Sequence, residues 1–233
     1  NVAVVGIGGR GGSHINAYAN MDNVQVKTLC DIDERFFPDR VKETEKLQGS
    51  RPGTEVDVRR VLEDPDIDAI SIATTNHWHA LATVWACQAG KDVYVEKPGS
   101  HNVWEGRKMV EAARKYNRVV QHGTQIRSSK GIQEAIQHIR DGLLGEVYMA
   151  RGLCYRWRGS IGKKPIKTPP KEVHYDLWLG PAQYEPYSES RVHYDWHWQW
   201  EYGNGDIGNQ GVHQMDICRW GLGVEMPSRV TSM

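Results

Sequence analysis

A glycine turn, Gly6-Ile7-Gly8-Gly9-Arg10-Gly11, follows directly on the short apolar run Val2–Val5 and leads into the helix-like stretch His14–Asn20. A run of β-branched residues without alternation is the pattern of a strand buried on both faces. A second apolar run, residues 24–30, ends on Asp31. An acidic residue about 20 positions beyond the last glycine completes the fingerprint of a dinucleotide-binding βαβ unit. Gly6 permits the tight turn, Gly8 lets the backbone approach a pyrophosphate, and Gly11 lets the helix pack closely on the strand. Gly9 and Arg10 complete the loop, and the helix N-terminus turns its N–H groups toward the phosphates. Asp31 accepts from ribose hydroxyls and repels a 2′-phosphate, which favours NAD over NADP. Arg10 argues slightly the other way, because a guanidinium can meet an extra phosphate.

Strands and helices go on alternating. Helical stretches are expected over residues 34–48 and 58–63, and a strand over 68–74. A helix over 80–89 should stop at Gly90. Then come a strand over 92–95, a helix over 103–116 and a strand over 118–122. Alternation of this kind implies a parallel sheet with right-handed crossovers and helices on both faces.

The 233 residues balance to zero net charge, so nothing points to nucleic acid or an anionic membrane surface as a partner. No apolar run approaches the ~20 residues that span a bilayer. Cys30, Cys87, Cys154 and Cys218 lack the paired spacing of a disulfide framework or zinc site, and no metal ligand set stands out. Asn1 opens on the first strand, and residues 228–233 read as the start of another. The chain is therefore expected to be a fragment of a longer protein. Its localisation stays open: cytoplasmic, or periplasmic if a twin-arginine leader precedes Asn1.

Two further segments carry a resemblance: Ala73-Thr74-Thr75-Asn76-His77-Trp78-His79, and residues 89–98 ending in Glu96-Lys97-Pro98. Together they resemble the Gfo/Idh/MocA family, the relatives of glucose–fructose oxidoreductase and inositol dehydrogenase. Thr75 stands where the family usually has proline. The resemblance implies an α/β fold with a Rossmann domain over residues 1–123. It also implies a substrate and oligomerisation α/β domain over 124–233, with an open, mainly antiparallel sheet, incomplete at its C-terminal end. The cofactor contacts it implies are Thr74, Asn76, His79, Glu96, Lys97 and Gln125. Lys97 is the active-site lysine, followed by a proline that is often cis. Gln125 and Arg127 border the nicotinamide or substrate, or belong to a linker.

In the second half, a helix is expected over residues 131–140, a strand over 146–156 and a loop over 159–172. Trp196, Trp198 and Trp200 alternate as on one face of a strand. They belong to the core, with Trp198 the one assigned to a carbohydrate-like substrate. The segment from Gly205 to Asp216 resembles the family's second catalytic motif. On a continuous helix Asp206, Asn209, His213 and Asp216 share a face. His213 is then the proton acceptor, while Asp206 is a substrate contact or a helix N-cap. Asn209 replaces the usual aspartate, and an amide can orient an imidazole without supplying charge. Asp206 lies about two helical turns from His213, roughly 10 Å along the axis.

These features imply an NAD-dependent oxidoreductase acting on a secondary alcohol of a sugar, cyclitol or glycoside, working as a homo-oligomer. The alternatives are a redox-assisted glycoside hydrolase, whose distinctive histidine and tyrosine motif is not seen, and a non-catalytic NAD-binding regulator.

Overall fold

The structure, a computed structural model, describes residues 1–155 and 157–232. Its sheet has six parallel strands: β1 (Val2–Val5), β2 (Val26–Cys30), β3 (Gly53–Glu55), β4 (Ala69–Ile72), β5 (Asp92–Glu96) and β6 (Val120–Gly123). They run in the order β3-β2-β1-β4-β5-β6. The order reverses between β1 and β4, which leaves a crevice beyond the carboxyl ends of those strands, where open α/β sheets bind ligands. The crossovers are α1 (Arg10–Ala19), α2 (Phe37–Gln48), α3 (Val58–Glu63), α4 (Asn76–Gln88) and α5 (Val103–Lys115).

The unbroken apolar run of β1 serves two cores. Ala3 and Val5 join Ile70, Ile72, Val93 and Val95 on one side of the sheet, whereas Val4 joins Ile15, Val26, Leu29 and Val41 on the other. Period-two alternation sends successive side chains to opposite faces, so a strand covered on both faces is apolar throughout.

The chain forms two compact units. One combines Asn1–Gly123 with Ser160–Gly205, and the other combines Thr124–Gly159 with the residues from Asp206 onward. Each unit thus joins two stretches that are distant in the chain. Residues Ser160–Gly205 return to the first unit as a strap bearing a short helix, α7 (Tyr175–Leu179). Tyr175, Trp178, Leu179, Tyr187, Val192, Trp196 and Tyr202 are buried there, with Ile32 packed against them. Backbone bonds from His174 to Ile32 (2.8 Å) and from Glu34 to Glu172 (3.0 Å) stitch the strap to the loop after β2.

The tryptophan strand expected over residues 196–200 is instead a 3-10 turn, Asp195–Trp198. The backbone closes local bonds there, such as Gln199 N–H to Trp196 at 3.1 Å, rather than a ladder. Trp196 is buried, Trp198 is half-buried and Trp200 is 90% exposed.

In the second unit the helices are α6 (Lys130–Arg140) and α8 (Val212–Leu222). Among the described residues the six-stranded sheet is the only one, and the open antiparallel sheet expected after residue 124 is not formed. Residues 146–155 form no regular element and join no ladder; Arg156 lies outside the described residues. A strand needs a hydrogen-bonded neighbour, and here Tyr148, Met149, Leu153 and Tyr155 are exposed rather than packed on one. Residues 228–232 likewise form no strand, and Met233 lies outside the described residues. Also among the described residues, no helix is long and apolar enough to cross a membrane, and no cluster of metal-ligating side chains occurs. All four cysteines are free thiols.

Candidate active site

The glycine turn owes its shape to two positions. Gly6 has φ +84°, where a side chain is strained, and a Cβ on it would stand 2.6 Å from the Ala73 carbonyl oxygen. A Cβ on Gly11 would meet the Gly6 carbonyl oxygen at 2.0 Å. By contrast, a Cβ on Gly9 would meet nothing within 4 Å, so the turn is closed toward the sheet and open at Gly9. In the first turn of α1, Gly12 N–H donates to the Gly9 carbonyl oxygen at 3.0 Å, and the N–H groups ahead of it are those a helix start leaves without an intrahelical acceptor. Together these make a cradle that fits a pyrophosphate.

Asp31 stands at the end of β2 and ties into this turn. Its Oδ2 accepts from Ile7 N–H at 2.7 Å and its Oδ1 from Asp33 N–H at 3.0 Å. Burial pushes its carboxyl above the usual range, against the pull of those two N–H groups. Asp33, fully buried, pairs with Arg35 at 2.5 Å and His193 at 2.7 Å.

Past β5 the chain turns at Glu96, Lys97 and Pro98, and the Lys97–Pro98 bond is cis. Glu96 is buried. Its Oε1 accepts from Arg10 Nε at 2.9 Å and faces His14 Nε2 at 3.1 Å, while Oε2 accepts from the Lys97 N–H at 3.1 Å. Burial alone would raise this carboxyl, but His14 and Arg10 outweigh it and hold it at about 2. Lys97 is half-buried; burial lowers its pKa from the ordinary lysine value, Glu96 opposes that fall and Arg10 adds to it.

The Thr74–His79 segment lies at the neighbouring strand end. Thr74 is half-buried and Asn76 buried, its amide donating to Asn204 Oδ1 at 2.9 Å. His79 is 1% exposed. Its Nδ1 lies 2.6 Å from the Pro98 carbonyl oxygen and its Nε2 lies 3.1 Å from that of Thr74. Burial lowers its pKa. A neutral ring carries one N–H, so His79 donates to one of these two carbonyl oxygens, and both of its nitrogens face backbone at the turns before α4 and after β5.

In the second unit the Gly205–Asp216 motif is not one continuous α-helix. Ile207–Gly211 form a π-helical turn before α8. The wider turn breaks the three-and-four spacing assumed for a shared face. Asp206 is bound by Arg158 Nε at 2.7 and 2.9 Å. Asp216 takes a two-pronged contact from Arg127 at 2.7 and 2.8 Å, and the Arg127 guanidinium lies 5.0 Å from the Trp220 ring. Arg127 and Asp206, both expected at the substrate, are thus ion-paired within their own unit. His213 is buried on α8, Asn209 is half-buried in the π turn, and Gln125 is exposed in a 3-10 turn.

Sequence reading missed His14, Ser71 and Asn204. The available signal for the first two was a lone polar residue in an apolar setting: Ser71 inside the run Ala69–Ile72, and His14 beside Ile15 on α1. Nothing local marked Asn204.

A doubly wound sheet with a glycine cradle at the reversal of strand order and a lysine turn at its edge defines a dinucleotide-binding protein of the Rossmann class. The chain belongs to the Gfo/Idh/MocA oxidoreductase family: residues 1–124 match its NAD-binding Rossmann fold and residues 132–231 its C-terminal alpha/beta domain. Among curated proteins it is similar to an alpha-N-acetylgalactosaminidase of Shewanella oneidensis, 25% identical over 150 residues, covering 63% of this chain and 33% of that protein. Among solved structures it is similar to GenD2 from gentamicin A biosynthesis in complex with NAD, with TM-score 0.66, 21% identity, and coverage of 95% of this chain and 53% of that one. Scyllo-inositol dehydrogenase from Lactobacillus casei, with NAD(H) and scyllo-inositol, has TM-score 0.55 at 22% identity, covering 62% of this chain and 42% of that one. The chain thus spans about a third of the curated relative and about half of these structures. At these identities the likeness to solved structures establishes the fold alone.

Proposed function

We propose that this chain binds NAD and oxidises a secondary alcohol of a sugar, cyclitol or glycoside. The observation that carries the reading is the Glu96 carboxylate, which joins Arg10 of the glycine turn to the backbone of Lys97. It makes the cofactor cradle and the lysine turn one connected arrangement. Gly6, Gly8, Gly9 and Gly11 would hold the pyrophosphate, Asp31 the ribose, and Thr74 and Asn76 would line the nicotinamide end. NAD is preferred to NADP because Asp31 is a carboxylate at the ribose position, and the guanidinium able to offset it, Arg10, is engaged by Glu96.

When bound, NAD supplies the hydride acceptor. Lys97 donates a hydrogen bond from its ammonium to the substrate hydroxyl and stabilises the oxygen as negative charge develops there. The proton-accepting role falls to His213, oriented by Asn209. With Arg127 and Asp206 ion-paired, Trp198 is left as the proposed aromatic contact for a carbohydrate ring, and the assembly is proposed to be a homo-oligomer.

A second reading, redox-assisted glycoside cleavage, is favoured by the similarity to the Shewanella alpha-N-acetylgalactosaminidase. One experiment separates the two. The full chain is incubated with NAD and a panel of sugars, cyclitols and aryl glycosides. Accumulating NADH supports the dehydrogenase, and aglycone release without net NADH supports the hydrolase. Cofactor binding with neither outcome leaves an NAD-binding regulator. In the dehydrogenase, Lys97→Ala lowers turnover at least ~100-fold with little change in NAD affinity; undiminished turnover would overturn the role given to Lys97.

A further inference from the structure

We propose that His14 is a positioning residue for Lys97, acting through Glu96. His14 lies on α1 one turn past the glycine loop and is 6% exposed. Its Nε2 faces Glu96 Oε1 at 3.1 Å, and its Nδ1 faces Ser71 Oγ at 2.9 Å. Its ring meets Tyr94 edge-on, with centroids 5.3 Å apart.

The proton arrangement follows from the partners. Glu96 is ionised throughout the ordinary pH range, so it can only accept. His14 Nε2 must therefore donate. Nδ1 faces the Ser71 hydroxyl, which can donate or accept as the ring requires. Ser71 is fully buried in β4. His14 thus links Ser71 to Glu96, and from the other side Lys97 N–H and Arg10 Nε also donate to Glu96. Each donor and acceptor in this buried cluster is matched, which is the condition under which a polar network makes a site rigid.

The consequence is mechanical. The carboxylate that fixes the Lys97 backbone is itself fixed from β4 and from α1. Without His14 it keeps Arg10, an exposed partner. The lysine turn then loses its internal anchor, and the ammonium moves toward solvent. Glu96 and Arg10 are among the charged groups that bear on Lys97, and both belong to this arrangement.

The proposal rests on the role given to Lys97 above, and its test keeps the two separable. The full chain and its His14→Leu, His14→Asn and His14→Gln variants are labelled with acetic anhydride across pH 6–11. Acylation of Lys97 is then quantified by peptide mass spectrometry. In the unaltered chain Lys97 titrates below an ordinary lysine. In His14→Leu and His14→Asn its midpoint rises by about half a unit or more, and kcat on an oxidised alcohol falls about tenfold or more while the KM for NAD changes less. His14→Gln, whose amide can still donate to Glu96, stays near the unaltered chain. A folded His14→Leu with unchanged Lys97 titration overturns the proposal. Should His14→Leu fail to fold, the same result in His14→Asn does so. If no alcohol yields NADH in the unaltered chain, the dehydrogenase reading fails, and the labelling still decides whether His14 positions Lys97.

Discussion

The Asn76 amide donates to Asn204 Oδ1 across 2.9 Å, although 128 residues separate the two in the chain. Asn204 in turn donates from its own amide to the His101 carbonyl oxygen at 2.7 Å. One side chain of the strap thus links the first residue of α4 to the loop after β5, at the sheet edge where the glycine turn and Lys97 lie.

Asn204→Ala removes both bonds and leaves the buried Asn76 amide without its acceptor. A loss of about 1–3 kcal/mol is expected, read from urea unfolding followed by tryptophan fluorescence. An unchanged midpoint would mean that water replaces the bridge.

Low pH should loosen the strap through His77. Its Nε2 contacts the Trp178 carbonyl oxygen at 3.0 Å, and burial holds its pKa at about 4 against an ordinary 6.5. Between those values the unfolded chain takes up a proton that the folded chain does not. Stability is therefore complete above pH 6.5 and lost as pH falls toward 4, by at most about 3 kcal/mol. Unfolding curves at pH 7.5 and 4.5 should show the difference, and His77→Phe should flatten it. Equal pH sensitivity in the variant would assign the loss to other groups.

Cofactor choice should respond to Asp31. Asp31→Ser is expected to weaken NAD binding about 10- to 100-fold, the worth of a charged hydrogen bond, and to narrow the gap between NAD and NADP. Calorimetric titration with each cofactor tests this. NAD affinity retained in the variant would place the ribose elsewhere.

Gly9 and Gly11 should behave differently. The Gly11→Ala methyl would sit 2.0 Å from the Gly6 carbonyl oxygen, so the turn must open, at about 1–3 kcal/mol, and NAD binding should fail. The Gly9→Ala methyl meets no protein atom within 4 Å. It should leave the melting temperature unchanged and weaken NAD alone. A Gly9→Ala chain that binds NAD normally would show that the pyrophosphate does not approach that side.

The Rossmann half was readable because its signals are local. Val2–Val5, the three glycines, Asp31 and the stop at Gly90 each act within a few residues, through strand burial, turn geometry or helix capping. The Glu96-Lys97-Pro98 turn was readable by resemblance. The tryptophan and Gly205–Asp216 segments were misread because periodicity assumes a regular element. Local bonding around Trp196 and the π turn at Ile207–Gly211 broke that assumption.

By itself, the sequence determined five of the six strands with the helices between them and the glycine turn, whereas the short edge strand β3 (Gly53–Glu55) carried no apolar pattern and emerged only in the structure. The legible elements depend on short-range sterics and on apolar patterning that each segment carries within itself. Only the tertiary structure decided that residues Ser160–Gly205 return to the first unit, that Arg127 and Asp206 are spent on ion pairs, and that His14 stands behind Glu96. Each of these rests on a contact between residues distant in the chain, satisfied by whichever buried partner the fold brings within reach.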